Sequence, residues 1–379
     1  MWRLPRLAEI AQTWFERAQE CPLSVRLCGQ SPADDIFSSF MKTLRRHSGE
    51  MRSLELQLRV EDFEDVNTHL LESSVFSMLQ KLSIDIDNGR KNSDAVVIFN
   101  NVPLLHEVIM IVVTPSFAVL PWQQLTKFTG ELYEVKECIE AIRLMPNLLE
   151  CVFSAFVTDD DDADRFGTVS HPNMQHFTLS ESTLYSPFST KILTLVTFPS
   201  LETLEISGTD DFDAEELDSF LQRSSPPLRK LAVHPLEGKV ELQLLPPFIA
   251  LIGLVELEIW RPARNFLSSF LTAFGCDPNL LPQLQNLALL GCHIPEENEE
   301  TYMRHEDEPY FDEILCDAVE PITKRREILP GCAQLQSFRV ISEKLCESAW
   351  YSEEDLLPFK KLKESGMYVY IGTKTRSVL

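Results

Sequence analysis

Apolar residues recur along this chain in one short frame, Φ-x-x-Φ-x-Φ, with Φ apolar and x variable. The frame stands at Met51-Leu54-Leu56, Leu79-Leu82-Ile84 and Leu105-Val108-Met110. It returns at Leu148-Cys151-Phe153, Met174-Phe177-Leu179, Leu201-Leu204-Ile206 and Leu228-Leu231-Val233. It continues at Leu254-Leu257-Ile259, Leu284-Leu287-Leu289 and Leu335-Phe338-Val340. A weaker copy has Leu125 and Phe128 but Gly130 in the third place. From Leu148 to Leu254 successive frames start 26, 27, 27 and 26 residues apart. A period in the twenties predicts a leucine-rich solenoid. The last two Φ residues are two apart, so on a strand they share a side while the residues between them face the other way.

Proline stands two residues before the first Φ at Pro103, Pro146, Pro172, Pro199, Pro226 and Pro282. It is expected to end any preceding helix and to turn the chain into the strand. The stretches between frames carry helical periodicity. Val135, Cys138, Ile139 and Ile142 share one face, as do Leu217, Phe220 and Leu221. Leu267, Phe270, Leu271 and Phe274 do so in a third stretch, and Phe311, Ile314, Leu315 and Val319 in a fourth. Asp213 with Glu216 reads as a capping box for the second of these helices. Strand, helix and strand again predicts an α/β leucine-rich-repeat solenoid, a horseshoe with a parallel concave sheet and convex helices. One repeat buries too few apolar groups to offset the ordering of its backbone, so the units must stack. Residues 1–50 are expected to form an N-terminal cap, 51–345 the solenoid with an acidic insertion near 293–310, and 346–379 a C-terminal cap.

The chain has 379 residues and a formal net charge of −24. No stretch reverses that acidity into a basic stripe, so neither nucleic acid nor an anionic membrane is an expected partner. The nine cysteines are odd in number and form no C-x-x-C pair. With Cys138 and Cys151 at core positions, they read as reduced residues of a cytoplasmic or nuclear protein. The most apolar stretch, residues 244–260, is broken by prolines and by Glu256 and Glu258, and reads as no membrane span.

Several segments resemble the F-box proteins of mushroom-forming fungi: "WFERAQECPLSVRL" (14–27), "LPWQQLTKF" (120–128), "MPNLLEC" (145–151) and "FLQRSSPPLRKLAV" (220–233). "LLPQLQNLAL" and the closing "LKESGMYVYIG" are similar as well, and the likeness runs in order over nearly the whole chain. The resemblance implies leucine-rich repeats that hold a protein substrate for a cullin-RING ubiquitin ligase, with an F-box docking on the ligase adaptor. Only thirteen residues precede Trp14, too few for an F-box, so the docking domain is expected to be absent. The Asn that follows the strand in standard leucine-rich repeats is mostly missing too, with Cys292 in the equivalent place after Leu289. Loop hydrogen bonds must then be met in another way.

The outward strand positions are the candidate binding surface. Trp260 beside Arg261 leads, because Trp and Arg dominate interface energetics; the rival reading packs the ring under a loop. Glu205, Glu256 and Glu258 offer carboxylates to a basic peptide, although a solvated acidic face is the plainer account. Arg339 lies on the same outward positions. The run 158–165, with four adjacent aspartates, reads as a solvated loop, and Asp85 to Arg90 lacks the ligand spacing of a calcium loop. There is no nucleophile elbow, P-loop or H-E-x-x-H. The expectation is a non-enzymatic protein-interaction module without metal or cofactor, either a ubiquitin-ligase substrate receptor or a stand-alone repeat scaffold.

Overall fold

The recurring frame builds strands. A computed structural model describes residues 7–19, 21–28, 41–59, 62–63, 66, 75–87, 97, 99–156, 167–180, 191–207, 214–234, 245–292, 311–327, 331–342 and 353–379. The aspartate run 158–165, the insertion 293–310 and the capping residue Asp213 lie outside these described residues. The chain divides into two units, Met1–Met174 with Ser182–Tyr185 and Gln175–Glu181 with Ser186–Leu379. Among the described residues thirteen parallel strands carry an α/β fold, six in the first unit and seven in the second.

The first unit runs α1 (Leu7–Ala18), β1 (Leu23–Cys28), β2 (Met51–Arg59), β3 (Lys81–Asp87), β4 (Glu107–Ile111), β5 (Lys127–Glu134), α2 (Val135–Leu144) and β6 (Glu150–Phe156). Each of its strands pairs in parallel with the next in sequence. The second unit runs β7 (His176–Ser180), α3 (Ile192–Leu195), β8 (Thr203–Ser207), α4 (Ala214–Ser224), β9 (Lys230–His234), α5 (Leu245–Ala250) and β10 (Glu256–Trp260). It continues with α6 (Arg264–Cys276), β11 (Asn286–Cys292), α7 (Phe311–Glu327), β12 (Ser337–Ser342), α8 (Glu353–Glu364) and β13 (Tyr368–Thr373), again in sequential parallel order.

Every Φ residue of the ten full frames is at most 2% exposed. They form the inner row of each unit, and aromatic rings from the intervening segments pack on it. Phe177 meets Phe198, which meets Phe220 of α4; Phe338 of β12 stacks on Phe359 of α8. The expected apolar faces of α2, α4 and α6 are buried, as are Phe311, Ile314 and Leu315 of α7. Val319 is a correction: it is half-exposed, and Ala318 and Ile322 continue the buried stripe instead. The helical period of 3.6 lets the inward line pass through either 318 or 319, and the smaller residue allows the closer approach. From β3 to β4 and from β4 to β5 no α-helix stands among the described residues; two short 3₁₀ turns, Pro115–Phe117 and Trp122–Gln124, lie on the way from β4 to β5. The strands β1 and β13 escape the frame because Pro22 and Gly366 hold their first Φ position.

The prolines act more locally than expected. Pro103, Pro146, Pro199 and Pro282 each sit second in a tight turn. The turn is closed by a backbone bond from the first Φ residue to the residue three before it: Leu105 to Val102, Leu148 to Met145, Leu201 to Phe198 and Leu284 to Leu281. Proline suits that place because its fixed φ matches the turn and no N–H is needed there. The turn then aims the next two N–H groups at one carbonyl of the preceding rung. Glu202 and Thr203 both donate to Gln175 O, Arg229 and Lys230 to Glu202 O, and Val255 and Glu256 to Arg229 O.

The chain leaves the strand by a second device. The residue seven after the first Φ is left-handed at Val112 (φ 60°), Leu132 (φ 61°), Arg261 (φ 45°) and Gly291 (φ 67°). Val112 N–H donates to Glu131 O and Arg261 N–H to Leu290 O, so backbone turns serve the loop bonds that an Asn ladder would otherwise make. Only glycine takes this conformation without steric cost. Val112, Leu132 and Arg261 take it because the neighbouring rung holds them there.

Candidate functional site

In the second unit the residues between the Φ positions form an open face in three rows, set by parallel register. The central row reads Thr178, Glu205, Ala232, Glu258, Ala288, Arg339, Tyr370. One row toward the strand starts come Lys230, Glu256, Asn286 and Ser337. Toward the strand ends stand His234, Trp260, Leu290 and Ile341. Glu258 is thus flanked by two alanines, both 1% exposed. Their small side chains leave room for longer neighbours to lean over them. Arg339, two strands away, reaches across Ala288 to bring Nη2 within 3.5 Å of Glu258 Oε2. His234 Nε2 approaches Glu258 Oε1 to 3.0 Å from the other side.

This pairing sets the charge of the site. The contact from His234 is the largest cause holding the Glu258 carboxyl below the usual carboxylate range, although the approach is off the line of a well-directed hydrogen bond. Arg339 and Lys230 add to the lowering, and burial opposes it. A carboxylate with a lowered folded pKa stabilises the fold above its unfolded pKa, and loses that contribution as pH falls through the folded value. Glu258→Gln is therefore expected to flatten the acid limb of the melting-temperature profile below about pH 4. Thermal melts of both proteins from pH 7 to pH 3 check this; parallel profiles would show that Glu258 titrates as a free carboxylate.

Trp260 completes the cluster. Its ring centroid is 5.4 Å from that of His234, and Lys374 Nζ stands 4.9 Å from the ring. Gly291 of the next strand gives the ring its seat: a Cβ there would lie 3.0 Å from Trp260 Cε3 and 3.0 Å from Arg261 Cγ. The indole N–H is buried without a hydrogen-bond partner.

The six residues singled out from sequence fall as follows. Glu256, Glu258, Trp260 and Arg339 share the open face. Arg261 follows them, but its left-handed backbone ends the strand alternation, and it meets Trp260 over Gly291 instead. Glu205 is in the central row with Ala232 between it and Glu258. Two carboxylates of the acidic stripe read from sequence, Glu256 and Glu258, are paired. Lys230 Nζ lies 3.3 Å from Glu256 Oε1, and Glu258 has the Arg339 guanidinium on one side and the His234 imidazole on the other. Register, which no single strand reveals, put those groups there. Lys374, Gly291 and the two alanines were not foreseen. Gly291 alone had a signal, a glycine two residues past the last Φ of its frame.

The first unit's open face is mostly self-neutralised. Arg26 pairs with Glu55, Lys81 with Glu107 and Lys127 with Glu150. Ile109, Ile111 and Val152 stand among them, half-exposed. Glu131 differs: burial, and then the nearby charge of Asp85, push its carboxyl above the ordinary range. The cysteines at core positions, Cys138 and Cys151, are buried thiols outside any disulfide, and burial raises the Cys151 thiol well above its ordinary value.

Among the described residues, no group of three or more His, Cys, Asp or Glu side chains is placed to hold a metal ion. No helix among them is long and apolar enough to cross a membrane. The chain matches no known protein-family model and no curated protein.

Proposed function

We propose that the chain is a leucine-rich-repeat horseshoe that binds a partner protein on the open face of its second unit, as the substrate-holding part of an F-box-type ubiquitin-ligase subunit. The observation that supports binding is the cluster around Glu258 and Trp260. It joins a large aromatic ring, an arginine and a half-buried carboxylate on one open sheet face. Such groups dominate interface energetics when a partner excludes water from them. The role is one of holding, not of chemistry. The link to ubiquitin rests on the resemblance of the segments around Trp14, Trp122, Met145 and Phe220.

Affinity capture from a lysate of the source organism, comparing wild type with Trp260→Ala and Lys81→Ala, tests the binding face. Trp260→Ala is expected to weaken the bound partner about 30-fold or more, in line with a hot-spot residue. Lys81→Ala, on the first unit's face, is expected to leave capture unchanged. A partner set indifferent to Trp260→Ala would remove the proposal. Co-capture of the ligase adaptor separates the receptor from a stand-alone scaffold.

A further inference from the structure

The chain's own C-terminal turn reaches the Trp260 surface. After β13 the backbone folds back: Thr373 N–H donates to Arg376 O (2.9 Å), Val378 N–H donates to Ile371 O (2.8 Å), and Gly372 bridges Ser377 in antiparallel sense. Gly372 (φ 156°) is required, because a Cβ there would lie 2.2 Å from Arg376 O. This turn presents Lys374 to Trp260, with Nζ 4.9 Å from the ring centroid. Leu290 of β11 and Ile341 of β12 stand between in the same row. Among the described residues no carboxylate lies within ion-pair reach of Lys374. Its ammonium is held by an aromatic face.

We infer that Trp260 is a seat for a lysine or arginine side chain of the partner, and that Lys374 fills this seat in the free protein as an intramolecular stand-in. The inference rests on the second unit's open face being the binding surface. The negative face of an indole attracts a cation most strongly among the aromatic rings. With Lys374 swung out, Lys230 still faces Glu256 and Arg339 still faces Glu258, while Glu205 adds a carboxylate to the central row. The incoming cation meets a bare ring two residues from a carboxylate, on a chain of net charge −24. Long-range attraction then favours a basic partner segment. Lys374 is exposed and its turn is closed by backbone bonds, so it can leave the ring without unfolding β13.

The chain has five tryptophans, so ¹⁵N-indole labelling yields five resolved N–H signals, and the one missing from Trp260→Phe belongs to Trp260. Octalysine, octaglutamate and a neutral Gly/Ser octapeptide are titrated into wild type and Lys374→Ala. Octalysine is expected to shift the Trp260 signal in both, with a midpoint about 2- to 5-fold lower in Lys374→Ala, the value of one exposed cation–π contact. An unchanged or higher midpoint in Lys374→Ala overturns the stand-in role. A Trp260 signal that moves with octaglutamate and not with octalysine overturns the cation seat and leaves the binding face standing. A Trp260 signal that ignores octalysine, while lysate capture still depends on Trp260, also sinks the inference alone. Loss of that dependence sinks the binding face itself.

Discussion

Arg325→Ala is expected to lower the unfolding free energy by about 3–5 kcal/mol, the usual cost of breaking a buried charged network. Arg325 lies in the last turn of α7 and is 2% exposed. Nη1 donates to Phe274 O (3.4 Å) and Asp277 O (3.2 Å), and Nη2 to Leu280 O (2.9 Å) and Leu281 O (2.6 Å). Its guanidinium carbon lies 4.5 Å from the centroid of the Phe274 ring. These carbonyls belong to the end of α6 and the segment after it, where a helix leaves its last C=O groups unpaired and carries partial negative charge. Burial pulls the Arg325 pKa below its ordinary value, opposed by Cys332 and Asp277, but a guanidinium remains charged. Gly275 lets α7 come close enough for this, since a Cβ there would stand 2.7 Å from Pro321 Cα, one helical turn before Arg325.

Two further substitutions separate the contributions. Arg325→Met keeps most of the volume but orphans the four carbonyls, and is expected to retain most of the loss. Arg325→Lys keeps the charge, but its compact ammonium cannot span four acceptors laid out for a planar fork. Urea unfolding measures the total, and hydrogen exchange at the C-terminal end of α6 locates it, because a chain of two units need not unfold in one step. A loss under about 1 kcal/mol for Arg325→Ala would mean that water can serve those carbonyls instead.

Gly130→Leu is expected to destabilise the first unit by about 1–3 kcal/mol, although it restores the apolar residue that the frame favours at that place. A Cβ at Gly130 would already lie 3.0 Å from Phe153 Cδ1 and 3.1 Å from Phe128 Cε1. The volume a leucine fills elsewhere is taken here by rings. Phe128, Tyr133 and Phe153 stand 5.9–6.0 Å apart, and the Tyr133 hydroxyl donates to Val113 O. Four added carbons must push these rings from their rotamers or move β5. Thermal unfolding of Gly130→Ala and Gly130→Leu checks this; a rising melting temperature along that pair would show that space remains under β5.

Much of the architecture was legible along the chain, because the frame is a local rule. Leu257 and Ile259 face one way on a strand whatever lies beside them, and a repeat near 26 residues obliges such strands to stack. The face that holds Glu258 and Trp260 was legible for the same reason. The end strands were not, since Pro22 and Gly366 interrupt the frame while pairing with β2 and β12 still completes the strands.

What stands on that face was decided by the tertiary structure. Lys230 meets Glu256, and Arg339 leans over Ala288 to Glu258, only once parallel register aligns rungs that are distant in sequence. The left-handed exits at Val112, Leu132 and Arg261 leave no local mark, because the neighbouring rung imposes them against those residues' own preferences. Arg325 reads in sequence as one more basic residue near a helix end, and the fold buries it against carbonyls far back along the chain. Side-chain alternation depends on the backbone of a single strand and is therefore written in the sequence. Charge pairing and close contact depend on distances between strands, which exist only after the rungs have met.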